Sequence, residues 1–188
     1  MGELERFLHS ETSGLPVLLR TALAHVQFET IHPFLDGNGR LGRLLIALLL
    51  HHSGLLAEPL LYLSLFFKEN RPAYYDLLDR VRSTGDWEAW VDFFLEGVEQ
   101  TARGAVQTAR RLVDLFEADT RRIQQTGRAA ANALRVLAAL RQRPALTLKH
   151  LRDVHGMTFP TASKAMQSLV TAGIVRELTG QRRNRVFG

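Results

Sequence analysis

Apolar residues recur every three or four positions along most of the chain, and this spacing constrains the fold more than any other feature. Val17, Ala22 and Val26 share one such face, in a segment that opens with Pro16. Strand-like alternation is almost absent before Ile174. A period of three to four residues is typical of amphipathic helices. The sequence therefore predicts a mainly α protein.

A loop containing one proline and two glycines interrupts the helical pattern after Ile31. Pro33 lacks a backbone donor and disfavours helical geometry in the residue before it. The helical pattern resumes at Gly39, continues to His52 and is almost wholly apolar after Arg43. Such a helix is normally buried on most sides, so we expect it at the centre of the core.

The segments that follow also read as helices. Pro72 suits the first turn of a helix that continues to Arg82. Asp86 is placed to cap another helix, which begins at Trp87 and carries several aromatic residues. We expect a separate, charged helix from Val98 to Ile123.

The pattern changes near residue 124. We predict a helical body over residues 1–123, a linker over 124–128 and a small domain over 129–188. Three helices followed by two strands is the order of a winged helix-turn-helix domain with a C-terminal β-hairpin. Thr147 is expected to cap the second of these helices. The helices are expected at Ala129–Arg141, Leu148–Val154 and Pro160–Ala172, and the strands at Ile174–Leu178 and Arg185–Phe187.

Charge and composition limit the classes of protein. The chain has no cysteine, which excludes disulfides and thiolate metal sites. Its N-terminus lacks the order of a secretory signal, and its longest apolar run, Leu44–Leu50, is too short to cross a bilayer. We expect a soluble cytoplasmic protein without membrane contact. The net charge of +5 divides into +8 for residues 129–188 and −3 for the rest, so the tail either meets a polyanion or carries an ordinary arginine-rich surface.

The loop after Ile31 contains the residues that carry chemistry. Two glycines at a helix N-terminus expose backbone N–H groups, which together with the helix dipole favour phosphate. Arg40 and Arg43 lie three residues apart and share one helix face, where two guanidinium groups can hold a polyphosphate. Asp36 can supply the single carboxylate with which proteins usually hold nucleotide-bound Mg²⁺. His32 is the residue type that accepts a hydroxyl proton near neutral pH.

The string His-Pro-Phe-Leu-Asp-Gly-Asn-Gly-Arg-Leu-Gly-Arg, from His32 to Arg43, resembles the signature of the Fic family without a mismatch. The flanks are similar too, in the Ala24-His25 pair and the Tyr74-Tyr75 pair. The whole chain is similar to the C-terminal two-thirds of bacterial Fic proteins that end in a winged helix. The resemblance implies a Fic-type helical bundle that acts as a protein adenylyltransferase, moving AMP from Mg-ATP to a Ser, Thr or Tyr hydroxyl and releasing pyrophosphate.

The resemblance also implies a role for each residue of the string. His32 is expected to be the catalytic base, and Phe34 a core residue that holds the loop. Asp36 is expected to bind Mg²⁺. The nucleotide-binding residues implied are Gly37, Asn38 and Gly39 as the anion hole, Arg40 on the β-phosphate and Arg43 on the γ-phosphate.

The sequence departs from the family pattern at its start. Long Fic proteins carry an upstream inhibitory helix, Ser/Thr-x-x-x-Glu-Gly/Asn, and a hairpin flap that docks the target. No such string precedes His32, and the residues before Pro16 are short and helix-like. Either Arg43 is unblocked and self-modification is constitutive, or nucleotide binds and transfer is poor. Related Fic chemistries transfer phosphoryl, UMP or phosphocholine groups, or remove AMP; Asp36 and the Gly-Asn-Gly triplet favour AMP transfer.

Four neighbouring side chains have less certain roles. Either Tyr74 or Tyr75 is expected to line the adenine pocket while the other packs against the core. His25 is expected on the helix surface or in support of the site. The adjacent histidines 51 and 52 point in different directions on a helix, which disfavours a shared metal site.

The basic tail suggests a second function. Lys164, on the expected recognition helix, and Arg182, Arg183 and Arg185, on the expected wing, are placed to contact nucleic acid. A winged helix can equally serve as a protein-docking or homodimer element. The alternative to the enzyme is therefore a DNA-binding regulator whose Fic half senses nucleotide.

Overall fold

The computed structural model describes residues 1–9, 14–58, 61–127, 130–181 and 183–188. Contacts divide the chain into two compact units, Met1–Thr108 and Ala109–Gly188. Residues 128 and 129, where the predicted linker ends and the predicted C-terminal domain begins, lie outside the described residues. The predicted domain limits remain predictions.

The first unit is built from helices, so the prediction of a mainly α fold is confirmed. The helix resuming after the loop begins at Asn38, one residue before the expected start. The last helix continues into the second unit. The helices are α1 (Gly2–His9), α2 (Val17–Ile31), α3 (Asn38–His52), α4 (Leu63–Glu69), α5 (Arg71–Thr84) and α6 (Trp87–Gln124).

Helix α6 is continuous, and the predicted division into two helices is wrong. The expected cap at its start is confirmed, because the Asp86 carboxylate accepts a hydrogen bond from the Ala89 N–H at 3.2 Å. Gly97, which lies near the expected break, serves packing instead. A β-carbon at Gly97 would lie 2.5 Å from the Phe66 ring, so the missing side chain lets that ring approach the helix.

The core of the first unit is aromatic, and α3 contributes only one face to it. Trp90 and Phe94 are fully buried, and the Trp90 indole N–H donates to the Ala22 carbonyl at 2.9 Å. Helix α3 buries Ile46 and Leu50, four residues apart, because it packs mainly on α2. The expectation that α3 is buried on most sides is wrong: the other face exposes about half of the Leu44 and Leu48 side chains.

The second unit contains the end of α6 and three further helices. Thr147 caps one of them as predicted, since its hydroxyl accepts from the His150 N–H at 3.1 Å. The core of the second unit includes Leu151, Met166 and Leu169. The remaining elements are α7 (Ala130–Gln142), β1 (Leu146–Thr147), α8 (Leu148–His155), α9 (Phe159–Thr171) and β2 (Val186–Phe187).

The strand pairing includes a partner beyond the predicted hairpin. β2 pairs antiparallel with β1, with Leu146 opposite Phe187 and Thr147 opposite Val186. The predicted pairing of Ile174–Leu178 with the last residues is also present: Glu177 forms a bridge with Phe187, and backbone hydrogen bonds join Arg176 with Gly188 and Leu178 with Val186. Pro144 cannot continue α7, so the residues that follow it can adopt an extended conformation and pair with β2. The sequence pattern did not indicate this pairing. Assignment as a winged helix remains a prediction.

Among the described residues, no helix combines the length and the hydropathy that crossing a membrane requires.

Candidate functional site

The loop between α2 and α3 begins at His32, which has a backbone conformation uncommon for residues other than glycine. Its φ of 48° and ψ of 57° are left-handed, and its N–H donates to the Phe28 carbonyl at 3.0 Å, ending α2. Left-handed geometry is uncommon outside glycine, and such residues concentrate at functional sites. The His32 side chain is exposed, so its imidazole is accessible from solvent.

The side chain of Asn38, rather than that of Phe34, holds the loop together. Asn38 is buried, and its amide accepts from the Phe34 N–H at 2.9 Å and donates to the Phe34 carbonyl at 2.5 Å. The Phe34 ring is half exposed, so its expected place in the core is wrong. The loop is closed by paired amide hydrogen bonds, which fix backbone shape more specifically than apolar contact does.

Helix α3 begins with backbone N–H groups that no capping side chain occupies. Its N-cap is Gly37, whose φ of 83° suits glycine, and no side chain caps it. The first N–H groups of a helix have no partner within the helix, and the dipole adds positive potential there. The start of α3 therefore fits a phosphate or another anion.

Charged side chains surround this helix start on its solvent side. Arg40 and Asp36 form an exposed ion pair at 3.4 Å, which contributes little to stability and can exchange for a ligand. The predicted residues His32, Asp36, Arg40 and Arg43 thus lie on one loop and the two helical turns that follow it.

Arg43 connects the helix start with a neighbouring cavity of about 310 Å³. Within the part of the chain that the structure describes, its side chain has no hydrogen bond or ion pair. Sequence reasoning missed the other two cations of the cavity, Lys68 and Arg71, although their spacing of three residues was a usable signal. The remaining lining residues are Tyr62, Ser64, Phe67, Tyr74 and Tyr75.

The two adjacent tyrosines of α5 have different environments. Tyr74 is buried, and burial raises the pKa of its hydroxyl far above the usual range. Tyr75 is about half exposed at the cavity, with the Arg71 guanidinium 5.6 Å from the centre of its ring. Tyr74 therefore packs against the core, and Tyr75 presents an aromatic face to a ligand.

His25 is completely buried, which excludes the helix surface and agrees with the other expectation, a residue that supports the site. One ring nitrogen, Nδ1, lies 2.9 Å from the Gly42 carbonyl oxygen, which can only accept. Nδ1 therefore donates, and Nε2 accepts from the Tyr74 hydroxyl at 3.0 Å. Burial is the main cause that lowers the pKa of His25 to about 4. A neutral His25 thus connects α2, α3 and α5 beneath the loop.

Glu29 lies one turn before His32 and was not singled out by sequence reasoning. Its side chain is buried, and burial raises the pKa of its carboxyl group. Arg82 on α5 donates to the Glu29 backbone carbonyl at 3.0 Å and to the Thr30 hydroxyl at 3.3 Å. A cation at this position satisfies the C-terminal carbonyls of α2 and opposes the helix dipole.

The predicted nucleic-acid residues of the second unit lie at two different cavities. Lys164 lines one of about 380 Å³ together with Gln167 and Ser168. Arg183 and Arg185 line another of about 300 Å³. Arg182 lies outside the described residues. Sequence reasoning missed two further lining residues of the second cavity, Lys149 and Phe159.

The described ranges contain no group of three or more His, Cys, Asp or Glu residues that could hold a metal ion. A site based on Asp36 alone would therefore need ligand oxygens from elsewhere.

The chain is similar to known proteins in sequence and in fold. The model of the Fic/DOC family matches residues 1–50. Protein adenylyltransferase Fic of Drosophila ananassae is 37% identical over 102 residues, which are 54% of this chain and 19% of that protein. The protein of the same name from Drosophila melanogaster is 38% identical over the same length. The chain spans about a fifth of the length of these curated relatives.

A solved structure also matches. The crystal structure of a Fic family protein from Desulfovibrio desulfuricans G20 aligns with a TM-score of 0.53 and 24% identity, covering 98% of this chain and 52% of that one. This likeness concerns the fold. Together with the family model over residues 1–50 and the curated relatives, it supports membership of the Fic/DOC family.

Proposed function

We propose that this protein transfers AMP from Mg-ATP to a hydroxyl group of a protein. The observation that carries the proposal is the juxtaposition at the α2–α3 loop: an exposed imidazole at His32, an uncapped helix start after Gly37 and two arginines in the next turns. The names of the curated relatives, protein adenylyltransferases, favour this reaction and a protein as the acceptor.

The phosphates of the nucleotide are expected at the start of α3. The N–H groups that follow Gly37 would bind phosphate oxygens, with Arg40 on the β-phosphate and Arg43 on the γ-phosphate. Gly37, Asn38 and Gly39 would give the backbone shape that this binding needs, and the Asn38 clamp on Phe34 would hold that shape in advance. Preformed donors cost no reorganisation when charge develops on the phosphate.

Asp36 fits the role of a magnesium ligand. Its carboxylate is exposed beside the helix start and bonded only weakly to Arg40. A single carboxylate combined with phosphate oxygens and waters is the usual way in which proteins hold nucleotide-bound Mg²⁺. When bound there, Mg²⁺ would neutralise part of the charge on the phosphates.

In the reaction, the acceptor oxygen forms a bond with the α-phosphorus, and the bond from that phosphorus to the β-phosphate oxygen breaks. His32 takes the hydroxyl proton, and pyrophosphate leaves with the electron pair of the broken bond. A positioned base contributes about 10²–10⁴-fold to the rate of such a step. The larger contributions would come from positioning and from charge stabilisation by the arginines and the helix start.

The nucleoside would lie in the cavity next to Arg43. Tyr75 presents the aromatic face on which a purine can stack, and Tyr74 is turned into the core. Of the two tyrosines that line this cavity, the proposal favours Tyr75 as the one that contacts adenine.

The decisive experiment is mass spectrometry of the protein after incubation with ATP and Mg²⁺. Self-modification would add one AMP moiety, and ATP labelled at the α-phosphate would reveal transfer to other proteins in a lysate. The His32→Ala variant serves as the control, because it should lose transfer and keep nucleotide binding. Binding of ATP without label on any protein would overturn the proposed reaction.

The basic cavity of the second unit favours a second candidate function, binding to DNA. Lys149, Arg183 and Arg185 line it beside the exposed ring of Phe159. Arginine and lysine side chains on one surface are the usual contacts to the phosphate backbone. If the unit is a winged helix, α9 would be the recognition helix and Lys164 one of its contacts.

A duplex-binding assay at several salt concentrations tests this candidate. Substituting Arg183 and Arg185 together by alanine should weaken binding and reduce its salt dependence by about two phosphate contacts. Duplex binding without any AMP transfer would favour the regulator over the enzyme. Affinity that does not change with salt would exclude contacts to the phosphate backbone.

A further inference from the structure

Glu29 is a buried acidic residue that the proposed reaction does not use. It lies on the last turn of α2 with only 6% of its surface exposed. Within the described residues, its Oε1 atom has no hydrogen-bond partner. A buried polar atom without a partner costs free energy, and such an atom in a folded protein calls for an explanation.

The glycines of α3 leave room for this carboxylate. A β-carbon added at Gly42 would overlap the Glu29 Oε1 atom. A β-carbon at Gly39 would lie 3.9 Å from the same oxygen and 3.1 Å from the Arg43 Nη1 atom. The Glu29 carboxylate and the Arg43 guanidinium therefore face the same side of the first turns of α3.

The charges around Glu29 are positive. Burial raises the pKa of its carboxyl group, and the nearby charges of His32, Arg43 and Arg82 oppose that effect. Arg82 already donates to two oxygens at the end of α2. Arg43, by contrast, has no hydrogen bond or ion pair among the residues described. It is the cation with free donors beside the free carboxylate oxygen.

We propose that Glu29 is a positioning residue, which holds the Arg43 guanidinium in the orientation that binds the terminal phosphate of the nucleotide. A guanidinium has five N–H donors, so one edge can bond to Glu29 while another bonds to phosphate. The two side chains do not form a direct ion pair at present, and a change of the Arg43 rotamer would bring them together. Fixing Arg43 in advance reduces the conformational entropy lost on binding.

This inference rests on the proposed function, because it assumes that the α3 start binds a nucleoside triphosphate. The test compares the dissociation constants of Mg-ATP and Mg-ADP, measured by calorimetry, for the wild type and Glu29→Gln. Arg43 would contact only the third phosphate of the nucleotide. In Glu29→Gln, the affinity for Mg-ATP relative to Mg-ADP should therefore fall about tenfold, while the affinity for Mg-ADP changes little. Arg43→Ala should lose the same preference, and the double variant no more than either single variant.

The control and the contrary outcomes separate the explanations. Glu88→Gln changes an exposed glutamate of α6 and should leave both affinities unchanged. An equal loss of ATP and ADP affinity in Glu29→Gln would mean that Glu29 only supports the fold, and unchanged affinities would mean that it does not act on Arg43. Either result overturns the inference. A wild type that binds neither nucleotide would overturn the proposed function itself.

Discussion

Two histidines in and next to α2 have opposite environments. His25 lies within α2, and His32 is the residue that follows its last turn. His25 is buried with both ring nitrogens bonded, to Gly42 and Tyr74. His32 lies exposed at the end of the helix in a left-handed conformation. Histidine therefore connects packed helices where both ring nitrogens are bonded, and it remains available for proton transfer where the ring is exposed.

Alanine at each position should separate these two roles, and His32 should show the largest effect. In His32→Ala, the rate of AMP transfer should fall by about 10²–10⁴-fold, because the proton acceptor is lost. Its urea unfolding should match that of the wild type, since the side chain is exposed. Tryptophan fluorescence reports on the first unit alone, because both tryptophans, Trp87 and Trp90, belong to it. If His32→Ala also lowered the free energy of unfolding, the loss of transfer could not be assigned to the missing proton acceptor.

The buried histidine should make stability depend on pH. Because its pKa is lowered to about 4 from 6.5, the unfolded chain binds a proton in this range and the folded chain does not. The stability is therefore complete above pH 6.5, and about 3 kcal/mol is lost as the pH falls to about 4. Urea unfolding followed by tryptophan fluorescence between pH 4 and 7 measures this slope.

The non-titrating variant His25→Gln provides the control for that slope. Glutamine retains one donor and one acceptor but cannot gain a proton, so the free energy of unfolding of this variant should vary less between pH 6.5 and 4. If wild type and variant show the same slope, other groups cause the acid sensitivity.

The comparison also shows what the sequence could predict of the site. The string from His32 to Arg43 identified the loop, because its residue types and spacing are local properties of the chain. The burial of His25 depends on Gly42 and Tyr74, which are distant in sequence. A pattern read along one helix does not indicate which other helices cover it. The same limit explains why Glu29 was missed.

In the fold, too, the features that depend on neighbouring residues were predicted and those that depend on distant residues were not. The caps at Asp86 and Thr147 were predicted correctly, because a cap needs only neighbouring residues. The second partner of β2, Leu146–Thr147, was not predicted, since it lies about 40 positions away in the sequence. The exposed leucines of α3 were not anticipated either, because composition does not reveal how many faces of a helix are covered.

The adjacent tyrosines of α5 show the same contrast between a buried and an exposed side chain, and removing each hydroxyl group separately tests it. Tyr74→Phe removes the donor to His25 and leaves a buried acceptor without a partner, which should lower the free energy of unfolding by about 1–3 kcal/mol. Tyr75→Phe retains the exposed aromatic face and should leave both stability and the Michaelis constant for ATP near wild-type values. A loss of stability in Tyr75→Phe and none in Tyr74→Phe would contradict the assignment.

The smallest expected effect concerns the end of α2, which carries His32. Arg82→Ala removes two hydrogen bonds to that end and should reduce transfer about fivefold, because the loop then loses part of its support. Arg80→Ala is the matched control on the same helix, since Arg80 pairs with Asp76 and Asp86 and, among the described residues, forms no hydrogen bond or ion pair with α2. Equal effects on transfer in both variants would mean that Arg82 acts only through general stability. A reduction confined to Arg82→Ala would show that the hydrogen bonds from Arg82 to the end of α2 affect the rate of transfer, because they support the loop that carries His32.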